Sequence, residues 1–379
     1  MRLDQKILSE YNKTRKTENT EVFCHAPFSS MYFLQNGNVA VCCYNRTNIL
    51  GKYPLNTLEK IWFGTEADKI RDCLGRNDLP LGCEICRSQF QSRNFSGLRA
   101  QFFDNMPKET CSAEKGKFIS LPKVLEFEIS NVCNLECSMC IGYFSSSIRK
   151  NREHLPSIKN PYDDMFVKQL ETFIPHLKEA RFVGGEPFLI DLYYQIWDLI
   201  IRLNPDIQVS ITTNGTILNK RVKNTLEGLR AHIILSIDSF EKENYERIRI
   251  NAQFDQVMEN FLFFKDYVKR KSTLMTIAVC PIRQNWKELP QLLKFCNEHG
   301  VQVFFNTVIY PKDAALNSMN KEDLSKITEY LGSIELKENS EIHKYNNSKY
   351  RDLIQQIACS QDKAFDFEGY IAEVFSSFD

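Results

Sequence analysis

Six strand-like runs, at residues 124–130, 179–184, 208–213, 232–237, 273–280 and 302–308, each separated from the next by a helical pattern, predict an α/β fold built on a partial (β/α)6 TIM-like barrel. Short crossovers through helices force neighbouring strands to run parallel. The strand faces are a second observation: Leu125, Phe127 and Ile129 alternate with Glu126, Glu128 and Ser130, and Val209 and Ile211 with Ser210, Thr212 and Asn214. Parallel strands buried on both sides are normally apolar throughout, so one polar face predicts an open barrel with a wet lumen, its ligands at the carboxyl ends of the strands. Third, cysteines gather in two groups, one ahead of the first barrel strand and one directly after it. The expected division is an extension at 1–21, a small cysteine-rich domain at 22–116, the barrel at 117–310 and a helical C-terminal tail at 311–379.

Composition narrows the function. Lys plus Arg equals Asp plus Glu at 48 each, so no basic field argues for nucleic acid or an anionic membrane, and a peptide, protein or small-molecule substrate fits better. No apolar run approaches the roughly 18 residues of a membrane span, and the charged N-terminus lacks a signal-peptide core, so a cytoplasmic location is expected. Thirteen cysteines in a long chain without an export signal suggest metal ligation rather than disulfides.

From the N-terminus, residues 1–21 are charged and weakly periodic, and are expected to fray or to dock late. Cys24-His25-Ala26-Pro27-Phe28 follows, then two strand-like runs at 30–34 and 39–43 joined by Gln35-Asn36-Gly37-Asn38. Asn-Gly between apolar runs signals a hairpin, which brings Cys24 and Cys42 together at its open end. Residues 55–74 read as one amphipathic helix, followed by the knuckle Cys83-Glu84-Ile85-Cys86, so four thiols converge. Four thiolates suit a closed iron–sulfur cluster or a zinc ribbon. Cys43 and Cys73 read as spare thiols able to swap in, His25 as a group that could tune a cluster, and Cys111, in a polar connector at 90–116, as a bystander.

Directly after the first barrel strand stand Cys133, Cys137 and Cys140 in the spacing Cys-x3-Cys-x2-Cys. Three soft thiolates on one loop can grip a four-iron cubane and leave one iron open for chemistry. A zinc site is the plainer alternative, but zinc favours four closed ligands. This spacing resembles the signature of the radical SAM superfamily, which implies an S-adenosylmethionine-binding [4Fe-4S] cluster and reductive cleavage to a 5'-deoxyadenosyl radical. Cys24, Gly37, Cys42 and the Cys83/Cys86 pair resemble the twitch and SPASM modules that carry auxiliary clusters in that superfamily. Those modules usually follow the barrel, whereas this one precedes it with a single set of four cysteines, which implies a twitch-like domain holding one auxiliary [4Fe-4S] cluster.

Gly184-Gly185-Glu186-Pro187 ends the second strand. Two glycines allow close backbone approach to a ligand, and Glu186 offers an acceptor for an ammonium group. The stretch resembles the superfamily's GGEP motif, which implies contact with the amino group of S-adenosylmethionine. Asn214 closes the third strand, and Ser236 and Asp238 share a face at the end of the fourth, placed for ribose hydroxyls or the methionine ammonium. Within Tyr245-Glu246-Arg247-Ile248-Arg249 the resemblance implies an arginine for the methionine carboxylate; Arg249 fits better, with Arg247 in reserve. Met139, between two cluster ligands, joins the cofactor-binding set. Each of these polar residues could equally cap or close a turn.

Cys280 ends the fifth strand with Thr276 and Ala278 on its face, which points it to the lumen, where a thiol could hand a hydrogen atom to a substrate radical. A small buried space-filler is the plainer reading, as for Cys296 and Cys359 in helical patterns. Tyr310-Pro311-Lys312-Asp313 is a strand stop, and helical patterns at 321–331 and 350–359 suggest packing. The expected protein is a radical SAM oxidoreductase or maturase, served by a reductant such as flavodoxin or ferredoxin, that oxidatively crosslinks or dehydrogenates a peptide or protein. The alternatives are a dehydrogenase or epimerase of a small alcohol, sugar or peptide residue with Cys280 as donor, and, more remotely, a non-catalytic zinc or iron–sulfur scaffold.

Overall fold

The computed structural model describes residues 3–17, 20–80, 82–106 and 120–359. Helix α1 (Gln5–Thr14) opens on Asp4, whose carboxylate accepts from the backbone N–H groups of Lys6 and Ile7. It does not fray, which corrects the expectation for this helix. Tyr11 is fully buried among Phe23, Phe90 and Phe95 at centroid distances of 5.2, 6.5 and 5.6 Å. Beyond the helix, Arg15 is ion-paired with Asp104 at 2.5 Å, both side chains buried, and donates to the Val22 carbonyl at 2.8 Å.

A single turn, α2 (Ala26–Ser29), leads into β1 (Ser30–Leu34), and the hairpin returns as β2 (Asn38–Ala40) with Phe33 opposite Val39. Gly37 turns it at φ +87°, where a Cβ would fall 2.2 Å from the Tyr53 carbonyl oxygen. After β3 (Gly51–Lys52), the helix expected at 55–74 is two helices, α3 (Leu58–Trp62) and α4 (Thr65–Gly75). The break is Gly64, where a Cβ would lie 2.4 Å from the Lys60 carbonyl oxygen, a closeness the periodic apolar pattern does not reveal. Helix α5 (Glu84–Gln91) and two 3-10 turns, Phe95–Gly97 and Arg99–Phe103, complete this segment. Cys111 lies outside the described residues.

The barrel then alternates β4 (Val124–Glu128), α6 (Ser146–Asn151), α7 (Asp164–Leu170), β5 (Glu179–Phe182), α8 (Asp191–Leu203), β6 (Gln208–Thr213), α9 (Lys220–Gly228) and β7 (Ala231–Ser236). It continues through α10 (Lys242–Ile248), α11 (Phe254–Lys271), β8 (Met275–Val279), α12 (Leu289–His299) and β9 (Gln302–Phe305). All six predicted strands are present and parallel, the fifth and sixth each three residues shorter than read. The sheet runs β3-β2-β1-β4-β5-β6-β7-β8-β9, and β1 pairs parallel with β4, Tyr32 opposite Glu126. The cysteine-rich segment thus shares the barrel's sheet.

The apolar strand face packs under the helices, with Phe33, Phe127 and Phe182 stacked in sequence at 5.2 and 5.0 Å. At the far edge, α13 (Lys321–Gly332) and α14 (Glu341–Cys359) pack as expected of the tail. Buried Asn346 accepts from the Val303 N–H at 2.9 Å and donates to the Val301 carbonyl at 2.9 Å, satisfying groups on the open edge of β9.

The wet-lumen expectation is corrected along β4 and β5. Glu126 meets Arg99 at 2.6 Å and Arg181 at 3.4 Å, and Glu128 meets Arg46 at 2.7 Å and accepts from the Tyr32 hydroxyl at 2.6 Å. Carboxylates on a covered face require cations, and two of these come from the N-terminal segment. Ser236, Ala278 and Cys280, farther round, are only partly buried, and Phe304 is exposed.

Because Arg15→Met strands the buried Asp104 carboxylate, it should cost about 3–5 kcal/mol, read as a drop in the urea midpoint. Adding Asp104→Leu should recover most of that loss.

Candidate functional site

The loop that leaves β4 is held by its backbone. The Glu136 N–H donates to the Ile250 carbonyl at 3.0 Å and the Ser138 N–H to the Ile248 carbonyl at 2.8 Å. Ser147 and Ser145, at the start of α6, donate to the carbonyls of Cys133 and Leu135, each at 2.7 Å, and Arg152 to those of Glu136 and Cys137 at 3.2 and 3.3 Å. With the backbone so engaged, the thiols make weak contacts: Cys133 Sγ is reached by the Leu135 N–H at 3.5 Å and the Asn214 amide at 3.9 Å, and Cys140 Sγ donates to the Ile141 carbonyl at 3.6 Å. Burial pushes the Cys133 thiol up to about 12. Cys140 is raised by burial and then by Cys137 and Cys133, and Cys137 by burial, with Arg249 opposing. Three thiols in each other's field and starved of polar partners fit a cationic metal core, which would hold them as thiolates.

The glycine turn serves this loop. Gly184 and Gly185 adopt φ of +83° and +50°, and Cβ atoms there would fall 2.9 Å from the Ser130 and 2.2 Å from the Val132 carbonyl oxygens. The close approach is therefore to the cysteine loop, where sequence reasoning expected a ligand. Glu186 is wholly buried, accepts from the Thr213 hydroxyl at 2.8 Å and the Asn214 N–H at 2.7 Å, and caps the 3-10 turn Pro187–Leu189 by accepting from the Phe188 N–H at 3.2 Å. Both oxygens are engaged internally, so it ties the end of β5 to that of β6. Burial outweighs these donors and pushes it up to about 7. Asn214 donates to Asn134 at 3.0 Å, placing its amide beside Cys133.

Asp238 is held in the same way: its Oδ1 accepts from the Cys280 N–H at 2.6 Å and its Oδ2 lies 2.7 Å from Arg249 Nη2. Arg249 is buried, near Cys137, whereas Arg247 is exposed. Ser236 sits half-buried on the polar face of β7. Met139 and Cys280 pack against one apolar cluster of Ile248, Ile282, Val308, Ala314 and Ala315. The Cys280 thiol is raised by burial, with Asp238, Cys137 and Cys140 adding and Arg249 opposing, so it lies at the loop's end of the barrel. Asn285 escaped sequence reasoning: fully buried, it donates to the carbonyls of Asp238 at 2.8 Å and Cys280 at 2.9 Å, and no motif marks it.

The second group is brought together as expected. Cys24, Cys42, Cys83 and Cys86 line one small cavity with Phe23, Asn45 and Arg99. The Ala26 N–H reaches Cys24 Sγ at 3.4 Å, the Asn45 amide Cys83 Sγ at 3.5 Å, and the Arg99 and Ala100 backbone N–H groups Cys86. Burial pushes Cys24 up to about 11 and Cys83 up to about 12, and also raises Cys42 and Cys86. Among the described residues, no three His, Cys, Asp or Glu side chains are gathered as a single metal ion requires. Cys43 does not line the cavity: it packs on the barrel side against the cluster of Tyr32, Leu34 and Ala40, among the charges of Arg99, Glu126, Arg46 and Arg181. Cys73 does not line the cavity; His25 is buried beside Cys24, and Cys296 is core. Arg99 and Asn45 carry no sequence signal.

The profile of the radical SAM superfamily matches residues 127–296, and that of SPASM, an iron–sulfur cluster-binding domain, matches residues 24–88. The chain carries a radical SAM domain and a SPASM domain. Such domains hold an S-adenosylmethionine-binding [4Fe-4S] cluster with S-adenosylmethionine, and auxiliary clusters. The GTP 3',8-cyclase of Aliarcobacter butzleri is 24% identical over 207 residues, covering 54% of this chain and 61% of the relative. That of Chlorobaculum tepidum is 26% identical over 185 residues, covering 47% and 51%. The chain thus spans between half and two thirds of the length of these relatives. Among solved structures, Streptococcus suis SuiB bound to S-adenosylmethionine aligns at 19% identity and TM-score 0.40 over 56% of this chain and 47% of that one. The protein anSMEcpe with bound AdoMet aligns at 19% identity and TM-score 0.41 over 55% and 58%. No described helix is long and apolar enough to cross a membrane.

Glu186 gives this domain a pH signature. Its folded value of about 7 lies above the ordinary 4.5, so its contribution to stability is full below about 4.5 and is lost as pH rises to about 7. Metal-free protein should therefore lose stability across that window in urea titrations, and Glu186→Gln should flatten the slope.

Proposed function

We propose that Cys133, Cys137 and Cys140 hold the S-adenosylmethionine-binding cluster, that Cys24, Cys42, Cys83 and Cys86 hold one auxiliary [4Fe-4S] cluster, and that the enzyme oxidises a peptide or protein side chain. The observation that carries this reading is the four-thiol cavity, built into the same sheet as the three-cysteine loop. When bound, the reduced cluster and S-adenosylmethionine supply a 5'-deoxyadenosyl radical that takes a hydrogen atom from the substrate. Arg249, fixed by Asp238 beside Cys137, offers its cation to the methionine carboxylate. Asn214 orients the loop through Asn134, and Ser236 on the open polar face offers a hydroxyl to the cofactor or substrate. Net oxidation requires a place for the substrate radical's electron as its proton leaves, and a four-thiolate auxiliary cluster is suited to accept it. A reductant such as flavodoxin or ferredoxin then starts each turnover.

The peptide reading is supported by overall charge: with 48 basic against 48 acidic residues, the chain offers no basic field for the triphosphate of a nucleotide such as the relatives' GTP. A second reading, epimerisation, is favoured by the place of Cys280 at the loop's end of the barrel near Cys137 and Cys140.

Anaerobically reconstituted protein should contain about eight irons if both clusters are cubanes. Replacing Cys133, Cys137 and Cys140 with Ala should halve that and abolish 5'-deoxyadenosine formation; cleavage persisting in this variant would sink the assignment. Cys83→Ala plus Cys86→Ala should lose the auxiliary cluster and keep slow cofactor cleavage, whereas one zinc at these thiols under iron-replete anaerobic expression would refute the redox role.

Cys280→Ala separates the two outcomes once a substrate is in hand. An oxidising enzyme should keep product formation within about a few-fold of wild type, as for a modest packing change. An epimerase should still release 5'-deoxyadenosine but return little inverted product.

A further inference from the structure

Arg99 stands between the two halves of the molecule. It lines the four-thiol cavity, and its Nη2 reaches Glu126 Oε2 on β4 at 2.6 Å. Its Cζ stacks 4.2 Å from the Phe102 ring centroid, and its backbone N–H faces Cys86. Its Nε is buried with no acceptor. A buried guanidinium N–H left unmatched is costly unless something occupies the cavity beside it. Cys42, one of the four thiols, is among the groups whose charge bears on this cation, as are Cys43 and Glu126 on the barrel side.

We propose that Arg99 sets the reduction potential of the auxiliary cluster, donating its unmatched Nε–H toward the cluster's sulfur while Glu126 holds the guanidinium and offsets part of its charge. This rests on the reading that the four thiols hold an iron–sulfur cluster. Reduction adds one negative charge to the cluster, so a nearby cation and a hydrogen bond to sulfur stabilise the reduced state and raise the potential. Glu126, adjacent to that cation, acts in the opposite sense. Arg99 is thus a positioning residue whose effect is electrostatic, and the sign of the response distinguishes that from a merely structural role.

The test uses full-length protein in which Cys133, Cys137 and Cys140 are replaced by Ala, so that the auxiliary cluster alone is read in an electron paramagnetic resonance titration against applied potential. Arg99→Gln should lower the reduced-to-oxidised ratio at fixed potential about tenfold, which is 59 mV for one electron. Glu126→Gln should raise it, and Arg99→Lys, which keeps the charge without the Nε–H, should fall between wild type and Arg99→Gln. Shifts of the same sign in Arg99→Gln and Glu126→Gln, or of less than about twofold with iron and sulfide retained, would overturn the proposal alone. If Arg99→Gln loses its iron, Glu126→Gln decides by itself, a rise supporting the role and no rise refuting it. Zinc in place of iron and sulfide in the parent protein would overturn the cluster reading and the proposal together.

Discussion

The buried carboxylates of β4 are the constraint on which the rest of the molecule depends. Glu126 and Glu128 lie on the polar strand face at 4% exposure, where an unpaired ionised carboxylate would cost several kcal/mol. Each is matched by an arginine from the N-terminal segment, Arg99 and Arg46. The barrel's first strand therefore needs the cysteine-rich segment in place. The parallel pairing of β1 with β4 supplies the register, setting Tyr32 beside Glu126 and within reach of Glu128. Replacing a buried ion pair with well-packed apolar residues is often neutral or stabilising, so these pairs are better understood as fixing one arrangement of two modules than as a source of stability.

That arrangement joins the two cysteine groups. Arg46 donates to the Cys43 carbonyl at 2.9 Å, next to Cys42, and its guanidinium grips both oxygens of Glu128. The Tyr143 hydroxyl meets Glu128 at 3.3 Å, three residues past Cys140, and Gln35 of the hairpin turn donates to the Tyr143 carbonyl at 2.7 Å. Every step is a direct contact between buried or half-buried groups, so movement of one cysteine loop strains the other. A module ahead of the barrel in sequence thereby reaches the carboxyl end of the first barrel strand through the edge of its sheet.

What the sequence made legible was local. Strand-like runs separated by helical patterns located all six barrel strands, Asn36-Gly37 located the hairpin, and thiol spacing grouped the cysteines, because each depends on neighbours a few residues apart. What it hid depends on distant partners. Tyr11 packs with Phe90 and Phe95, and Arg15 pairs with Asp104, so residues 1–21 look frayed only when those partners are out of view. The polar faces of β4 and β5 look wet for the same reason, since Arg46 and Arg99 precede β4 with no periodic signal to mark them.

Glu186 and Asp238 show how a motif position can be read from sequence while its surroundings cannot. Sequence parity placed both at the ends of strands around the three-cysteine loop, and both are there, yet neither has exposed area to meet a ligand. A carboxylate at zero exposure with two or three internal donors gains more from holding its neighbours than from a site it would have to leave. Asp238 grips only one face of the Arg249 guanidinium, and the Arg249 Nε is buried without an acceptor. A cation held in place by one carboxylate, with an N–H still unmatched beside Cys137, is preorganised for a second anion at low reorganisation cost. The buried acids then act as supports, and Asp238 holds the Arg249 cation ready for an anion.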